Sequence, residues 1–291
     1  MSRYSIAGYI SSSVRDILSR RGAGLYITTI GTAIVALVVG IAFLSPFIAP
    51  YDPIKRVGQP LLEPSSQFPM GTDVLGRDLY SRVIHGSRTT LLVVSTSTAI
   101  SLLAGVPLGL LAGYIGGKLD RTISLVMDSI YAFPGLILAI AIAAVLGPGI
   151  PNMALAIAVV YIPTYFRMVR SQVLSLKENL FVEAATALGA KGRTIISRYI
   201  FPNVTATILV IFSLNVVDAI LTEAALSFLG VGVEPWMPDW GNDLRAGQPF
   251  MLSGHWWLIT FPGLMIIFAA IGFGLLGEGL NEIFNPQLRE G

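Results

Sequence analysis

Six stretches of this sequence are apolar over the length of a membrane-crossing helix, and that leaves few folds open to the chain. A hydrocarbon core about 30 Å thick needs roughly 20 residues of helix rising about 1.5 Å each. Runs of this kind, bounded by charges, lie at Leu25–Ile48, Thr90–Ile115, Ile123–Leu146, Met153–Phe166, Thr205–Leu229 and Trp257–Leu280. The fourth is short and extends toward Ile150. With 54% of residues hydrophobic and 12% charged, too few polar side chains remain to clothe a water-soluble surface of this size. The expected fold class is an all-α membrane protein with six transmembrane helices.

Charge placement orients the spans. Arg15, Arg20 and Arg21 precede the first run as they would a signal peptide. That run is too long and lacks a small-x-small cleavage site, so it reads as an uncleaved anchor. With the N-terminus in the cytoplasm, 13 of the 19 basic residues fall inside, and six, Lys55, Arg56, Arg77, Arg82, Arg88 and Arg245, fall outside. The positive-inside rule therefore predicts both termini in the cytoplasm. The expected organisation is a cytoplasmic segment 1–24, an anchor helix 25–48, an extracytoplasmic loop 49–89, a five-helix core 90–282 and a cytoplasmic tail 283–291. Within the core lie a cytoplasmic loop 167–204 and an extracytoplasmic loop 230–256.

Several chemistries are disfavoured at once. The chain has no cysteine and two histidines, His85 and His255, neither at membrane depth, so disulfides, redox cysteines and a histidine-rich metal centre have no material. An intramembrane enzyme would need a nucleophile with its base, or metal ligands at a binding spacing. No GxxxxGK[ST] phosphate loop occurs. The nearest approach, ending at Gly117 and Lys118, has Ala112 for its first glycine and Leu119 in its last position.

The loop 167–204 is amphipathic and helix-forming, with breaks at Gly189 and Gly192. Leu180, Phe181, Ala184, Ala185 and Leu188 recur near helical spacing, a stripe suited to a partner's groove, while Lys177, Glu178 and Lys191 face water. Glu183, Ala184 and Ala185, followed by Gly189 and then by Phe201 and Pro202, match the EAA loop of ABC importer permeases. A bare triplet of this kind is commonplace on surface helices. The glycine and proline at matching spacing, between the fourth and fifth of six spans, make it specific. Phe201 stands where the pattern usually has leucine.

Two further stretches resemble the second permease subunit of dipeptide, oligopeptide and nickel importers. In loop 49–89, Gly71, Asp73, Gly76, Arg77, Asp78, Ser81, Arg82, Gly86 and Arg88 fall on the pattern GTDxLGRDxxSRxxxGxR. Arg77, Arg82 and Arg88 around Asp73 and Asp78 suggest a salt-linked cap at the outer mouth, whether to order the loop or to meet substrate. After the fifth span, SFLGVGVEPWMPDWG is similar to SFLGxGxxPPxPxWG, with Trp236 in place of a proline. Near the end, Glu278 and Asn281 replace an aspartate and an arginine of the family's pattern, so an ion pair through that arginine has no counterpart here. Trp240, Trp256 and Trp257 read first as interfacial anchors.

The resemblance implies a type I importer core of five helices after an anchor. It also implies a non-catalytic transport subunit that binds no cofactor itself, in the cell membrane of a prokaryote. The implied partners are a paralogous second permease, two ATPases holding ATP and magnesium and docking at the EAA loop, and an extracytoplasmic binding protein. No nucleic-acid partner is implied. Peptide, nickel complex and oligosaccharide all occur as substrates in this branch, and peptide is favoured only by the branch's breadth.

Within the spans, Asp128, Asp218 and Glu223 need explanation, because ionisable groups in lipid are costly. Asp218 and Glu223 are about 140° apart around a helix, so one faces the path and the other a helix contact, or both are structural. An ion-coupled secondary transporter would use these two acids as a relay, but leaves the EAA loop without a purpose. Gly105, Gly109 and Gly113 form a small-residue stripe that reads as helix packing.

Overall fold

A computed structural model describes residues 6–284, with side chains for 24–283. The expected tail from 285 onward, with Arg289, and the first five residues, with Arg3, lie outside the described residues. The described chain is almost wholly helical: α1 (Ile6–Ile48), α2 (Leu79–Ile115), α3 (Gly117–Tyr131), α4 (Gly135–Leu146), α5 (Ile150–Leu176), α6 (Leu180–Ala187), α7 (Gly192–Thr194), α8 (Phe201–Leu229), α9 (Trp240–Gly247) and α10 (Trp257–Phe284). Five helical stretches are long and apolar enough to cross a membrane: Gly24–Ile48, α2, α5, Gly192–Leu229 and α10.

The run expected as a third continuous span is instead two helices, α3 and α4, bent 89° apart. The cause is local. Pro134 has no N–H and fixes its own φ, and the residue before a proline is pushed out of helical geometry, so the helix stops at Tyr131 and restarts at Gly135. At 15 and 12 residues, neither half alone spans 30 Å of hydrocarbon.

Two other boundaries move. Helix α2 begins at Leu79, ten residues inside the expected outer loop, because Asp78 caps it by accepting from the Ser81 N–H at 2.9 Å. Helix α5 runs on to Leu176, and Arg170 and Arg167 on this extension pair with Asp120 and Asp128 of α3. Arg167 also lies over the Tyr131 ring at 4.0 Å.

Glycines set the closest helix approaches. A Cβ on Gly105 would stand 2.6 Å from Tyr165 Cβ, one on Gly109 2.8 Å from the Phe166 carbonyl, and one on Gly113 2.8 Å from Val173 Cβ. The stripe is the α2–α5 contact, as its four-residue spacing predicts. A second stripe was not anticipated: Gly31 on α1 abuts the backbone of α10 at Leu276, while Gly272 and Gly279 on α10 abut Ile34 and Thr28. These glycines lock the anchor helix against the last span.

Candidate functional site

The two ends of the bundle carry different constructions. At one end lies the α6 loop. Val182 is buried among Val173, Ile195, Ile200 and Val204, and Ala185 on the same side of α6 is buried too, which fixes one face of the helix to the bundle. The opposite face is open: Leu180 is 81% and Leu188 88% exposed, and Phe181, Glu183 and Ala184 are exposed beside them. Of the expected docking stripe, only Ala185 is turned inward. An apolar stripe that runs the whole length of a two-turn helix cannot all face outward when the helix must itself be held by something.

Gly189 ends the helix. Its φ of +81° allows its N–H to reach the Thr186 carbonyl at 2.9 Å and the Ala190 N–H to reach the Ala185 carbonyl at 3.0 Å, the paired bonds of a left-handed helix stop. Among the described residues nothing beyond its chain neighbours lies within 4 Å of where its Cβ would be, so the demand for glycine is conformational. Beyond it the chain passes through one π turn, Ile195–Ile200, into α8, with Phe201 and Pro202 exposed at the start of that helix. Proline has no N–H to give to the preceding turn, and a widened turn accommodates the loss. Lys177 donates to the Gly113 carbonyl at 3.3 Å, and Gly192 sits against Tyr114, so the loop is fastened to the far end of α2.

At the other end, the loops 49–78 and 230–256 close over the bundle. Arg82, 1% exposed, donates through Nε to Asp243 Oδ1 at 2.7 Å and also approaches it through Nη2 at 2.6 Å. It donates further to the carbonyls of Pro53, Trp236 and Met237. This one side chain thus ties Arg82 to a residue 161 positions further along the chain. Asp73 takes the Arg77 Nε at 2.5 Å and the Leu75 and Arg77 N–H groups, with Arg82 3.7 Å away. Burial lifts the Asp243 carboxyl, against the pull of Arg82, to about 6.

Gly71 and Gly76 both have positive φ, and a Cβ on either would strike a backbone carbonyl, of Leu62 and Gly58 respectively. Gly86 makes room for Trp240, whose indole donates to the Val83 carbonyl at 2.9 Å. Trp240 and Trp257 are buried, so of the three tryptophans expected at the interface only Trp256 is exposed. The correction has a simple basis: each buried indole finds a carbonyl partner inside the cap, Val83 and Thr72. Asp78 is occupied as a helix cap with Ser81, and Arg88 lies outside the ion cluster.

Inside the bundle, the two acids of α8 separate as their spacing requires. Glu223 is fully buried toward Thr90 and Asp239, whereas Asp218 is exposed on the opposite side of the helix, with Leu214 and Leu221. The link between Arg82 and Asp243 is the site feature that the sequence concealed. Both residues stand in recognisable stretches, but nothing in either stretch names the other.

Residues 105–290 match the family described as "Binding-protein-dependent transport system inner membrane component". The chain belongs to this family. It is 39% identical over 266 residues to the di/tripeptide transport system permease protein DppC of Pseudomonas aeruginosa, covering 89% of this chain and 88% of that one. It is also 39% identical to the glutathione transport system permease protein GsiD of Pectobacterium atrosepticum, covering 88% and 85%. An inward-facing structure of the MetNI methionine ABC transporter shares the fold, with a TM-score of 0.56 and 20% identity over 68% of this chain and 94% of that chain. The permease is thus a multi-pass inner-membrane transport component, and its relatives are transport subunits rather than enzymes.

Proposed function

We propose that this permease forms half of the translocation path of an ATP-driven importer of short peptides, with a paralogous permease supplying the other half. The observation that carries the reading is α6, held to the bundle by Val182 and Ala185 while Leu180, Glu183, Ala184 and Leu188 project outward with nothing covering them among the described residues. A short helix rigidly anchored on one face and apolar on the other suits a partner's cleft. Two ATPases, holding ATP and magnesium, dock there. An extracytoplasmic binding protein delivers substrate at the cap.

In this reading the chain crosses the membrane six times with both ends in the cytoplasm, the bent α3–α4 pair counting as one crossing. The distribution of basic residues supports that orientation, as does the gathering of Lys177, Arg170 and Arg167 at the α6 end. Closure of the ATPases around ATP moves α6, and the helices exchange inward-facing and outward-facing arrangements. Asp218, on the exposed face of α8, lines the path; Glu223 is buried on the other side of the helix, away from it. Peptide is favoured as substrate by the peptide and glutathione permeases among the relatives.

The test is co-purification from the native membrane. Wild type should bring a second permease and phosphate-loop ATPases, and the double change Glu183→Lys with Gly189→Trp should lose the ATPases while keeping the permease pair. Recovery of wild type alone, or as a homo-oligomer, would refute the reading and leave an ion-coupled transporter using Asp218 and Glu223.

A further inference from the structure

A groove of about 710 Å³ opens among α1, α2, α8 and α10, in the half of the bundle nearer the cap. Phe43, Leu92, Phe212 and Phe273 represent its apolar walls, and Arg88 is the sole charged residue lining it. Arg88 lies nine residues into α2, about 13 Å from its first residue. Phe43, on the facing helix, is five residues before the end of α1. Arg88 therefore sits near the depth where hydrocarbon gives way to headgroups.

Among the described residues Arg88 makes no hydrogen bond or ion pair, and no acidic side chain lines the groove. An arginine at this depth is costly unless it reaches a counter-charge. The planar guanidinium matches a phosphodiester in charge and fork geometry. The groove also faces away from the side of α8 that carries Asp218. Val216 lines it, and Asp218 follows two residues later, about 200° around the helix. The groove is thus separate from the side of α8 that bears Asp218.

We propose that Arg88 and the groove bind one anionic glycerophospholipid of the cap-side leaflet, its phosphate on the guanidinium and an acyl chain lying along Leu92, Phe212 and Phe273. Because the walls come from both the anchor helix and the core, the lipid joins α1 to the outer half of the bundle, complementing the glycine contacts between α1 and α10.

The experiment takes the full-length chain with whatever subunits accompany it, places it in phosphatidylcholine vesicles containing a minority of phosphatidylglycerol, and counts retained lipid by native mass spectrometry after detergent release. Wild type should retain one phosphatidylglycerol per chain in preference to phosphatidylcholine. Arg88→Gln should reduce retention about tenfold, the loss expected for one charge-assisted bond, and Arg88→Lys should keep it. Ser95→Phe, which places a ring in the groove from an exposed position, should reduce retention with Arg88 intact. Unchanged retention in Arg88→Gln, or in Ser95→Phe should the first variant not fold, overturns the proposal. So does an Arg88→Gln protein that keeps its lipid but sheds a protein subunit, since an acidic group of that subunit would then be the occupant.

Discussion

Replacing Arg82 by methionine removes the charge that joins the two cap loops while keeping most of the side-chain length. The buried Asp243 then loses its counter-ion, with its Oδ2 already lacking a partner, and the carbonyls of Pro53, Trp236 and Met237 lose a donor. Stranding one member of a pair this deeply buried costs about 3–5 kcal/mol. The two loops join elements that are otherwise well packed, so this cost should appear as local opening of the cap rather than as loss of the bundle. At about 1.4 kcal/mol per tenfold, opening becomes roughly a hundredfold to a few thousandfold more frequent. Hydrogen exchange reads it directly at residues 240–247, where the Asn242 N–H is held by Asp239 Oδ1 and the Asp243 N–H by the Asp239 carbonyl. Exchange along α5 should be unaltered. Adding Asp243→Leu to Arg82→Met should restore much of the protection, because the uncompensated charge is then gone. A change of less than about threefold at 240–247 in Arg82→Met would refute the reasoning, since the loops would then be held by apolar packing alone.

Acidification should tighten this end. The folded carboxyl of Asp243 titrates at about 6, above its ordinary 3.8, so its contribution favours the closed cap at low pH and is lost as pH rises through about 6. Protection of 240–247, corrected for intrinsic exchange, should rise between pH 7 and pH 5 in wild type and stay flat in Asp243→Asn. Gly109→Leu should lower thermal stability by about 1–3 kcal/mol or more by forcing α2 from α5, while Gly263→Ala, whose Cβ meets nothing nearer than Leu244 at 3.8 Å, should have little effect. Asp218→Asn should slow uptake of a peptide into vesicles without shifting the melting temperature; unchanged uptake would take Asp218 out of the path.

The spans were legible because hydrophobic length is a one-dimensional property. The glycine stripe of α2 was equally readable, its four-residue period visible without knowing the partner helix. The stripe joining α1 to α10 was not, since Gly24 and Gly31, and Gly272 and Gly279, are seven apart and lie at opposite ends of the chain. Helix breaks were readable in part: Gly189 marked the end of α6, but the break at Pro134 falls inside a run that hydropathy reads as one span, and its angle depends on what α4 packs against. The start of α2 was misjudged because charged residues from Asp78 to Arg88 look like loop when their partners, such as Asp243, are unknown. In the same way, Trp240 and Trp257 resembled interfacial anchors until the carbonyls that hold their indoles were in view.

The stretch from Gly192 through the π turn to Leu229 is 38 residues of unbroken helical chain, about 57 Å long. Its first turn rests against Tyr114 beside α6, and its last approaches Arg245 and Gly241 of the cap. Mechanically it is a single strut with one irregular joint, the π turn, at the α6 end. A tilt of about 5° at that joint carries the far end roughly 5 Å sideways, about the rise of one helical turn. Such a strut needs no chain of rearranging side chains between its ends, and its stiffness would fix how far the cap moves for a given displacement of the α6 loop.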